Sequence, residues 1–185
     1  MIRALFTIDD ELRLLPPRER YAPALHRIIR EEGRELGTWL PWFRQSESKR
    51  AIRRFLRESR ALNEGGQKLI TFIFYGEELI GSIGLMRIDQ ENRKAEIGYW
   101  LRKAYRGRGI TIRSALRIIA HAFSDLGLNR LVIKAPDKNT PSRGVPEKLG
   151  FQHEGSLRES LLLDGAFHDM EIYSLLKREW KKKEP

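Results

Sequence analysis

The 185-residue chain is strongly basic, since 35 Lys and Arg against 25 Asp and Glu give a formal net charge of +10 at pH 7. This charge favours anionic partners such as nucleic acid, a membrane surface or a phosphorylated small molecule, without choosing among them. The chain contains no cysteine, which excludes disulfides, thiolate metal sites and a cysteine nucleophile. No segment has the pattern of a signal peptide or the length of a membrane span, so we expect one cytoplasmic domain over residues 1–185 with no membrane partner.

The first third of the chain predicts one strand and two helices. The segment ELRLL at 11–15 alternates polar and apolar residues and stops at two prolines, which indicates a short strand. Apolar residues at helical spacing predict a helix over 18–32, loosened afterwards by Gly33 and Gly37, and a second helix over about 48–63.

The second predicted helix has a basic face, with seven Lys and Arg residues between Arg44 and Arg60. Such a face could contact nucleic acid, but charged helix faces usually meet solvent. Nucleic acid is therefore the weaker alternative for this surface.

The middle of the chain predicts a meander of three antiparallel strands, at 68–75, 78–88 and 94–101. A glycine-rich turn, YRGRGI at 105–110, then leads into an amphipathic helix that closes near Gly127.

The last third predicts a buried strand, a short helix and two closing strands, at 130–135, 140–149, 151–163 and 167–176. Strands and helices in this order predict one mixed α/β domain. Its sheet would be mostly antiparallel, with six to seven strands flanked by about four helices.

The glycine-rich turn is a candidate anion site. N–H groups at a helix start lack partners and the helix dipole favours negative charge there, while glycine lets the backbone approach a ligand closely. Two common phosphate motifs are excluded: the Gly-Lys-Ser/Thr of a P-loop is absent, and Ile112 stands where a dinucleotide fingerprint needs its third glycine.

The turn RGRGIT at 106–111 resembles the Arg/Gln-x-x-Gly-x-Gly/Ala turn of the GNAT N-acetyltransferases. AEIGYWL before the turn, and HAFSDLGLNRL, NTPSRGVPEKLGF and YSLLKREW after it, extend the similarity from about residue 10 to 180. TWLPW near the start is similar to the ribosomal-protein N-terminal acetyltransferase group of that superfamily. Thr111 departs from the usual Gly or Ala, although a small hydroxyl residue should fit.

The resemblance implies a GNAT-type fold with acetyl-CoA as co-substrate and no metal. Backbone N–H groups at the turn would hold the pyrophosphate, helped by nearby arginines, and main-chain groups of the preceding strand would pair with the pantetheine arm. The implied cofactor-binding residues are Trp100, Leu101, Arg106, Gly107, Arg108, Gly109, Ile110, Thr111 and Asn139, with Arg113 as a further cation.

Acetyl transfer to an amine requires a neutral nucleophile, a donor to the developing oxyanion and help for the departing thiolate. Glu96 is the candidate base, because strand alternation places it beside a gap at Gly98 and several GNAT enzymes have their base at this position. The alternative is a strand carboxylate paired with a neighbouring arginine.

Ser142 is the candidate donor to the thiolate. Many GNAT enzymes use a tyrosine seven residues after the motif asparagine, where this chain has Pro146. The ribosomal-protein group uses a serine in Asn-x-x-Ser, which matches Asn139 and Ser142, and a hydroxyl is a good hydrogen-bond donor. The alternative is that Ser142 caps the following helix. Leu161 stands where some relatives have a glutamate.

Three residues are candidates for the acceptor site. Trp39 and Trp42 would line the acceptor pocket or pack the first helices against the sheet. His168, followed by Asp169 on the last strand, resembles a His-Asp pair of the ribosomal-protein group.

The resemblance implies an enzyme that acetylates a primary amine, with the N-terminal amine of a protein, ribosomal above all, as acceptor. A polyamine, an amino acid or an aminoglycoside is the alternative acceptor. Pro146 and Leu161 also leave open an acyl-CoA-binding module without catalysis. A homodimer is compatible with each of these functions.

Overall fold

The computed structural model describes residues 5–40, 43 and 48–180. Within these residues the chain forms four helices: α1 (Ala22–Trp39), α2 (Lys49–Glu64), α3 (Ile110–Ser124) and α4 (Thr140–Leu149). The eight strands of the described ranges are β1 (Phe6–Thr7), β2 (Leu12–Leu15), β3 (Leu69–Tyr75), β4 (Glu78–Asp89), β5 (Lys94–Leu101), β6 (Arg130–Pro136), β7 (Gln152–Leu163) and β8 (Ala166–Leu176).

The strands form one sheet in the order β1-β2-β3-β4-β5-β6-β8-β7. All neighbours are antiparallel except β5 and β6, which are parallel because α3 crosses over between them. The parallel ladder covers only Lys94–Glu96 against Arg130–Val132, and beyond it the two strands separate. At the far edge of the sheet, β7 pairs with β8 through a ladder that is irregular between Leu157 and Leu161.

The sheet separates two apolar clusters, one on each face. Alternation along β5 sends Ile97 and Leu101 into the cluster with α3, and Trp100 into the cluster with α1 and α2. Burial on both faces explains why the central strands are apolar along their whole length. The mixed α/β fold predicted from the sequence is confirmed.

One predicted helix bound and the predicted number of strands are wrong. The first helix does not loosen at Gly33 and Gly37 but continues to Trp39, because Leu36 extends its buried face and packing outweighs the cost of glycine. The prediction of six to seven strands misses β1, whose two residues are too few to produce an alternating pattern.

The basic face of α2 is partly neutralised within the described ranges. Arg57 and Arg60 pair with Glu19 and Glu64 at 3.4 and 2.8 Å, whereas the predicted patch begins at Arg44, which lies outside the described residues. A helix long and apolar enough to span a membrane is absent from the described parts of the chain.

Candidate active site

The opening between β5 and β6 lies at the centre of the sheet. Beyond Glu96 and Val132 each strand pairs only with its outer neighbour, β5 with β4 and β6 with β8. The facing edges of 97–101 and 133–136 therefore stand apart. Strand edges of this kind can pair with an extended ligand through main-chain hydrogen bonds.

The turn after β5 has the geometry of an anion site. Gly107 and Gly109 have φ of +77° and +70°, in the region that favours glycine. Gly109 is the N-cap of α3, and no side chain caps this helix, so the first N–H groups from Ile110 onward have no partner from the helix or from a capping side chain. Because the Ile110 side chain is buried in the core, this residue offers only its backbone.

The predicted arginines at the turn differ in their partners. Arg106 donates to the Leu101 carbonyl at 3.1 Å and to Glu35 at 2.5 Å, and this hydrogen bond holds the pKa of Glu35 below its ordinary value. Arg113 pairs with Asp9. Arg108 lies over the Tyr105 ring at 5.3 Å and has no carboxylate partner among the residues that the structure describes.

Arg102 anchors the segment between β5 and the glycine turn. It is 15% exposed and reaches Glu32 at 2.7 Å and Glu31 at 3.0 Å, both on α1, and Glu78 at 2.5 Å. Glu32 also accepts from the Lys103 N–H at 2.9 Å. These bonds hold the chain before the turn against α1.

The side chains of Trp100 and Leu101 are part of the core. The Trp100 ring packs edge-on against Phe43 with centroids 5.0 Å apart, and Leu101 is buried on the opposite face. Only their main-chain groups are available at the opening, which is the role that the resemblance implies for them.

Glu96 has two cationic partners. Its Oε1 accepts from Lys134 Nζ at 2.7 Å and from Arg87 Nη1 at 3.2 Å, so the paired-carboxylate alternative describes its geometry here. The predicted gap at Gly98 is filled, because a Cβ on this glycine would lie 2.2 Å from Met86 Cε. The expectation of open space beside Glu96 is wrong, since strand alternation does not reveal a flexible side chain from the neighbouring strand.

Asn139 and Ser142 lie in the first turn of α4. Asn139 is the N-cap, and its Oδ1 accepts from the Ser142 N–H at 3.2 Å, so the alternative that Ser142 caps this helix is wrong. The Ser142 Oγ lies 3.4 Å from the Tyr99 hydroxyl, which donates to the Ser142 carbonyl at 2.8 Å. Burial raises the pKa of Tyr99 to about 12, which keeps this hydroxyl protonated at neutral pH.

Two of the three predicted acceptor residues meet. The Trp39 and His168 rings are edge-to-face with centroids 6.3 Å apart, while Trp42 lies outside the described residues. His168 Nδ1 lies 3.6 Å from Asp137 Oδ1. Asp169, the neighbour of His168 in sequence, instead accepts from the Glu159 N–H at 2.8 Å.

Three residues at the site, Tyr99, Met86 and Asp137, are not among those predicted from the sequence. Tyr99 and Met86 belong to predicted strands, but only the folded structure brings them against Ser142 and Gly98. A signal for Asp137 exists, because polar residues just past the carboxyl end of a parallel strand are often functional.

Residues 11–152 match the acetyltransferase (GNAT) domain family. The chain is 40% identical over 177 residues to the "Putative ribosomal N-acetyltransferase YdaF" of Bacillus subtilis (strain 168), covering 92% of both proteins. It is 32% identical over 168 residues to the ribosomal-protein-serine acetyltransferase of Escherichia coli (strain K12), covering 90% of this chain and 93% of that protein.

A solved structure shares the whole architecture. RimL, a ribosomal L7/L12 alpha-N-protein acetyltransferase in complex with coenzyme A, superposes with a TM-score of 0.88 at 27% identity and covers 92% of this chain and 96% of its own. The uncapped helix, the left-handed glycines and the parted strands fit such a ligand. The chain therefore belongs to the GNAT family and is an N-acetyltransferase that uses acetyl-CoA as its acetyl donor.

Proposed function

We propose that the chain acetylates the N-terminal amine of a protein, with ribosomal proteins as the first class of acceptor. The observation that carries this proposal is the similarity, over nine-tenths of both chains, to relatives named for ribosomal-protein acetylation. Ribosomal proteins are made in the cytoplasm, so a cytoplasmic location is part of the proposal.

The cofactor contacts in this proposal come mainly from the backbone. N–H groups from Arg108 to Thr111 would hold the pyrophosphate, because they stand at an uncapped helix start where the dipole favours an anion. Arg108 is the arginine at the turn whose charge is available without breaking an ion pair of the described residues. Main-chain groups of Trp100 and Leu101, together with Asn139, would contact the pantetheine arm.

Ser142 is proposed as the hydrogen-bond donor to the departing thiolate. Its hydroxyl would exchange the 3.4 Å contact with Tyr99 for a contact with sulfur. The shorter bond from Tyr99 to the Ser142 carbonyl supports this role, because it holds the first turn of α4 against β5 while the hydroxyl reorients. Acetyl-CoA supplies the activated thioester, so the protein needs no covalent intermediate of its own.

Glu96 stays a prediction as the base. Lys134 and Arg87 both donate to its Oε1, so Oε2 is the oxygen that would take the proton in this role. Trp39 and His168 stay predictions as acceptor-site residues, and the homodimer stays a prediction that a solution mass measurement can test.

The experiment that tests this function is an acetyl-transfer assay with purified protein, acetyl-CoA and a panel of amines. The panel contains peptides beginning with Ser or Ala, the same peptides with a formylated N-terminus but free lysines, spermidine and free amino acids. We expect transfer to the unblocked peptides only, located by mass spectrometry, and then a matching mass increase of 42 Da (one acetyl group) on a protein of a ribosomal extract.

Other outcomes select the alternatives. Transfer to spermidine or amino acids with none to peptides would assign a small-molecule acceptor. Binding of coenzyme A with no transfer to any amine, including extract proteins, would assign a non-catalytic module.

A further inference from the structure

Asp137 and His168 carry polar atoms that are buried and unpaired. Asp137 Oδ1 and His168 Nδ1 are both inaccessible to solvent, and neither has a hydrogen-bond partner in the part of the chain that the structure describes. The two atoms are 3.6 Å apart, slightly beyond hydrogen-bond reach, and the His168 side chain is 14% exposed. Buried polar atoms are nearly always paired, so an orphaned pair of complementary groups needs an explanation.

The backbone around Asp137 is held in place. The Asp137 N–H donates to the Asp169 carbonyl at 3.0 Å, which ties the end of β6 to β8. Arg143 Nη1 donates to the Asp137 carbonyl at 3.1 Å. Because Arg143 directly follows Ser142 on α4, the Asp137–His168 pair is fixed to the same helical turn as the proposed thiolate donor.

The pair lies at the carboxyl end of β6, one residue past Pro136. This strand is one of the two that part to form the opening, and ligands of open sheets bind outside the carboxyl ends of parallel strands. Trp39 covers one side of the imidazole, so the site has an aromatic wall and an acidic partner, the surroundings that suit an amine.

The structure assigns to His168, oriented by Asp137, the removal of the proton from the acceptor amine. Asp137 would accept a hydrogen bond from Nδ1–H, which leaves the Nε2 lone pair free to take a proton, the arrangement of an oriented imidazole base. The nitrogen of the amine bonds to the acetyl carbonyl carbon and the carbon–sulfur bond breaks. Nε2 takes the first proton from the ammonium form of the acceptor before the attack. The second proton leaves the nitrogen for solvent as the amide forms, and the thiolate is protonated from solvent as coenzyme A leaves.

His168 differs from Glu96 in the charge of its neighbours, because Glu96 lies between two cations and His168 lies beside the carboxylate of Asp137. Glu96 Oε1 already accepts from Lys134 and Arg87, whereas no described residue hydrogen-bonds either nitrogen of His168. A contact of 3.6 Å in the free enzyme can close when substrate binds, because catalytic hydrogen bonds are often loose before the complex forms.

Among the residues that the structure describes, two aspartates carry the negative charge nearest His168. Asp137 faces it from the end of β6, α1 presents the uncharged Trp39, and Asp169 on its own strand is occupied by the Glu159 N–H. The inference deepens the proposed function and rests on it for the identity of the acceptor.

The test compares His168→Gln, Asp137→Asn and Glu96→Gln with His121→Gln as control. His121 pairs with Asp125 at 2.6 Å at the far end of α3, so it is a histidine–carboxylate pair outside the opening. We measure kcat/KM against pH from 6 to 9.5, the Kd for coenzyme A, the Kd of the acceptor peptide in the presence of coenzyme A, and the melting temperature.

For His168→Gln we expect kcat/KM at pH 7 to fall about 100-fold, with the loss shrinking as pH rises and more amine is neutral. Asp137→Asn should lower kcat/KM about tenfold at pH 7 without weakening the binding of the acceptor peptide, because the imidazole loses the carboxylate that orients it. Coenzyme A affinity should be unchanged in both variants, and His121→Gln should match the wild type.

The inference is overturned if His168→Gln folds and keeps kcat/KM within twofold of wild type across the pH range. If His168→Gln does not fold, a kcat/KM in folded Asp137→Asn within twofold of wild type overturns it instead. A 100-fold, pH-dependent loss in Glu96→Gln alone would return the base to Glu96. Absence of peptide acetylation by the wild type would reject the protein acceptor, and the variants would then be compared on whichever amine is acetylated.

Discussion

The polar side chains on the two sides of the opening between β5 and β6 differ in whether they have partners. At the glycine turn proposed to hold the cofactor, Arg102, Arg106 and Arg113 each have a carboxylate partner, and the proposed contacts come mainly from the backbone. At the carboxyl end of β6, Asp137 and His168 have buried atoms with no hydrogen-bond partner in the described ranges of the chain. Ion pairs fix the backbone on one side of the opening. On the other side, polar side-chain atoms have no hydrogen bond among the described residues.

This difference matches the chemical groups that would bind the two proposed ligands, a pyrophosphate and an amine. A pyrophosphate can be bound by N–H groups that any helix start provides, so the side chains there are free to fix the loop. An amine must be bound and deprotonated, which backbone N–H groups cannot do because they donate only. The side proposed to bind the amine, which requires groups that can accept a proton, is the side where Asp137 and His168 have atoms without a hydrogen bond among the described residues.

The largest expected effect is stabilisation of the fold by coenzyme A. A ligand that binds only the native state at a hundredfold excess over its Kd adds about 2.7 kcal/mol to the free energy of unfolding. Thermal unfolding with coenzyme A, NAD and ATP at equal concentrations measures this effect. We expect a clear rise with coenzyme A and much smaller ones with NAD and ATP. Equal rises would show that the turn is a general anion site.

Gly109→Val should weaken coenzyme A binding about tenfold. An added Cβ at Gly109 would meet no protein atom within 4 Å, so the added side chain would project into the space proposed for the pyrophosphate and keep this group away from the backbone N–H groups. The φ of +70° is also strained for a β-branched residue by about 1–2 kcal/mol, which lowers stability. Gly127→Val is the matched control, since Gly127 has φ of +64° and equally open space but lies at the other end of α3. Calorimetric titration and melting temperature should show loss of stability in both variants and loss of affinity in Gly109→Val only. Equal affinity in the two would remove the turn from the cofactor site.

Ser142→Ala should lower kcat about fivefold and leave the melting temperature unchanged. The lost hydrogen bond to sulfur corresponds to about 1 kcal/mol, and a thiolate with a pKa near 8.5 on the cysteine scale leaves without much help. Asn139→Ala is the contrasting variant, because the loss of the true N-cap should destabilise the protein by about 1 kcal/mol. Wild-type kcat in Ser142→Ala would leave the departing thiolate without a protein donor.

The smallest effect concerns a paired carboxylate outside both sites. Arg130 and Ser174 hydrogen-bond Glu154 and lower its pKa from 4.5 to about 2. A lowered pKa stabilises the fold above pH 4.5, and this contribution disappears as pH falls from 4.5 toward 2. Because the Glu154 side chain is 39% exposed, screening reduces the contribution to about 0.5 kcal/mol.

Urea unfolding of wild type and Glu154→Gln at several pH values checks this prediction. The two should differ at pH 7 and converge toward pH 2, with kcat/KM unaffected throughout. Glu77→Gln is the control, since Glu77 pairs with Arg13 but is 95% exposed and should contribute less. A difference that persists at pH 2 would contradict the assignment to charge.

The geometry of the glycine turn could be predicted from the sequence, and that of the Asp137–His168 pair could not. The turn at 106–111 is contiguous, so its glycines, its helix start and its resemblance to a family can all be recognised along the chain. Trp39, Asp137 and His168 come from three separate elements, and their proximity depends on strand order and on α1 continuing past Gly37. Periodicity predicts which face a residue occupies, not which partner from another element it meets.

The neighbours of Glu96 and Ser142 show the same limit. Alternation correctly separates Glu96 from Tyr99, but the Met86 side chain over Gly98 could not be foreseen from spacing. The helix start at Thr140 was predicted correctly, and yet the cap is Asn139, which leaves the Ser142 hydroxyl free of that task.

The irregular ladder between β7 and β8 has a consequence for the behaviour of the protein at high concentration. β7 is a 12-residue strand at the sheet edge, and its hairpin exposes Leu157, Leu162 and Phe167, the combination that invites strand addition by another chain. Pairing breaks between Leu157 and Leu161, where Glu159 has φ of +50°. This kink, with Arg158 and Glu159 at its tip, interrupts the row of free backbone groups, and so protects the longest edge of the sheet from edge-to-edge aggregation.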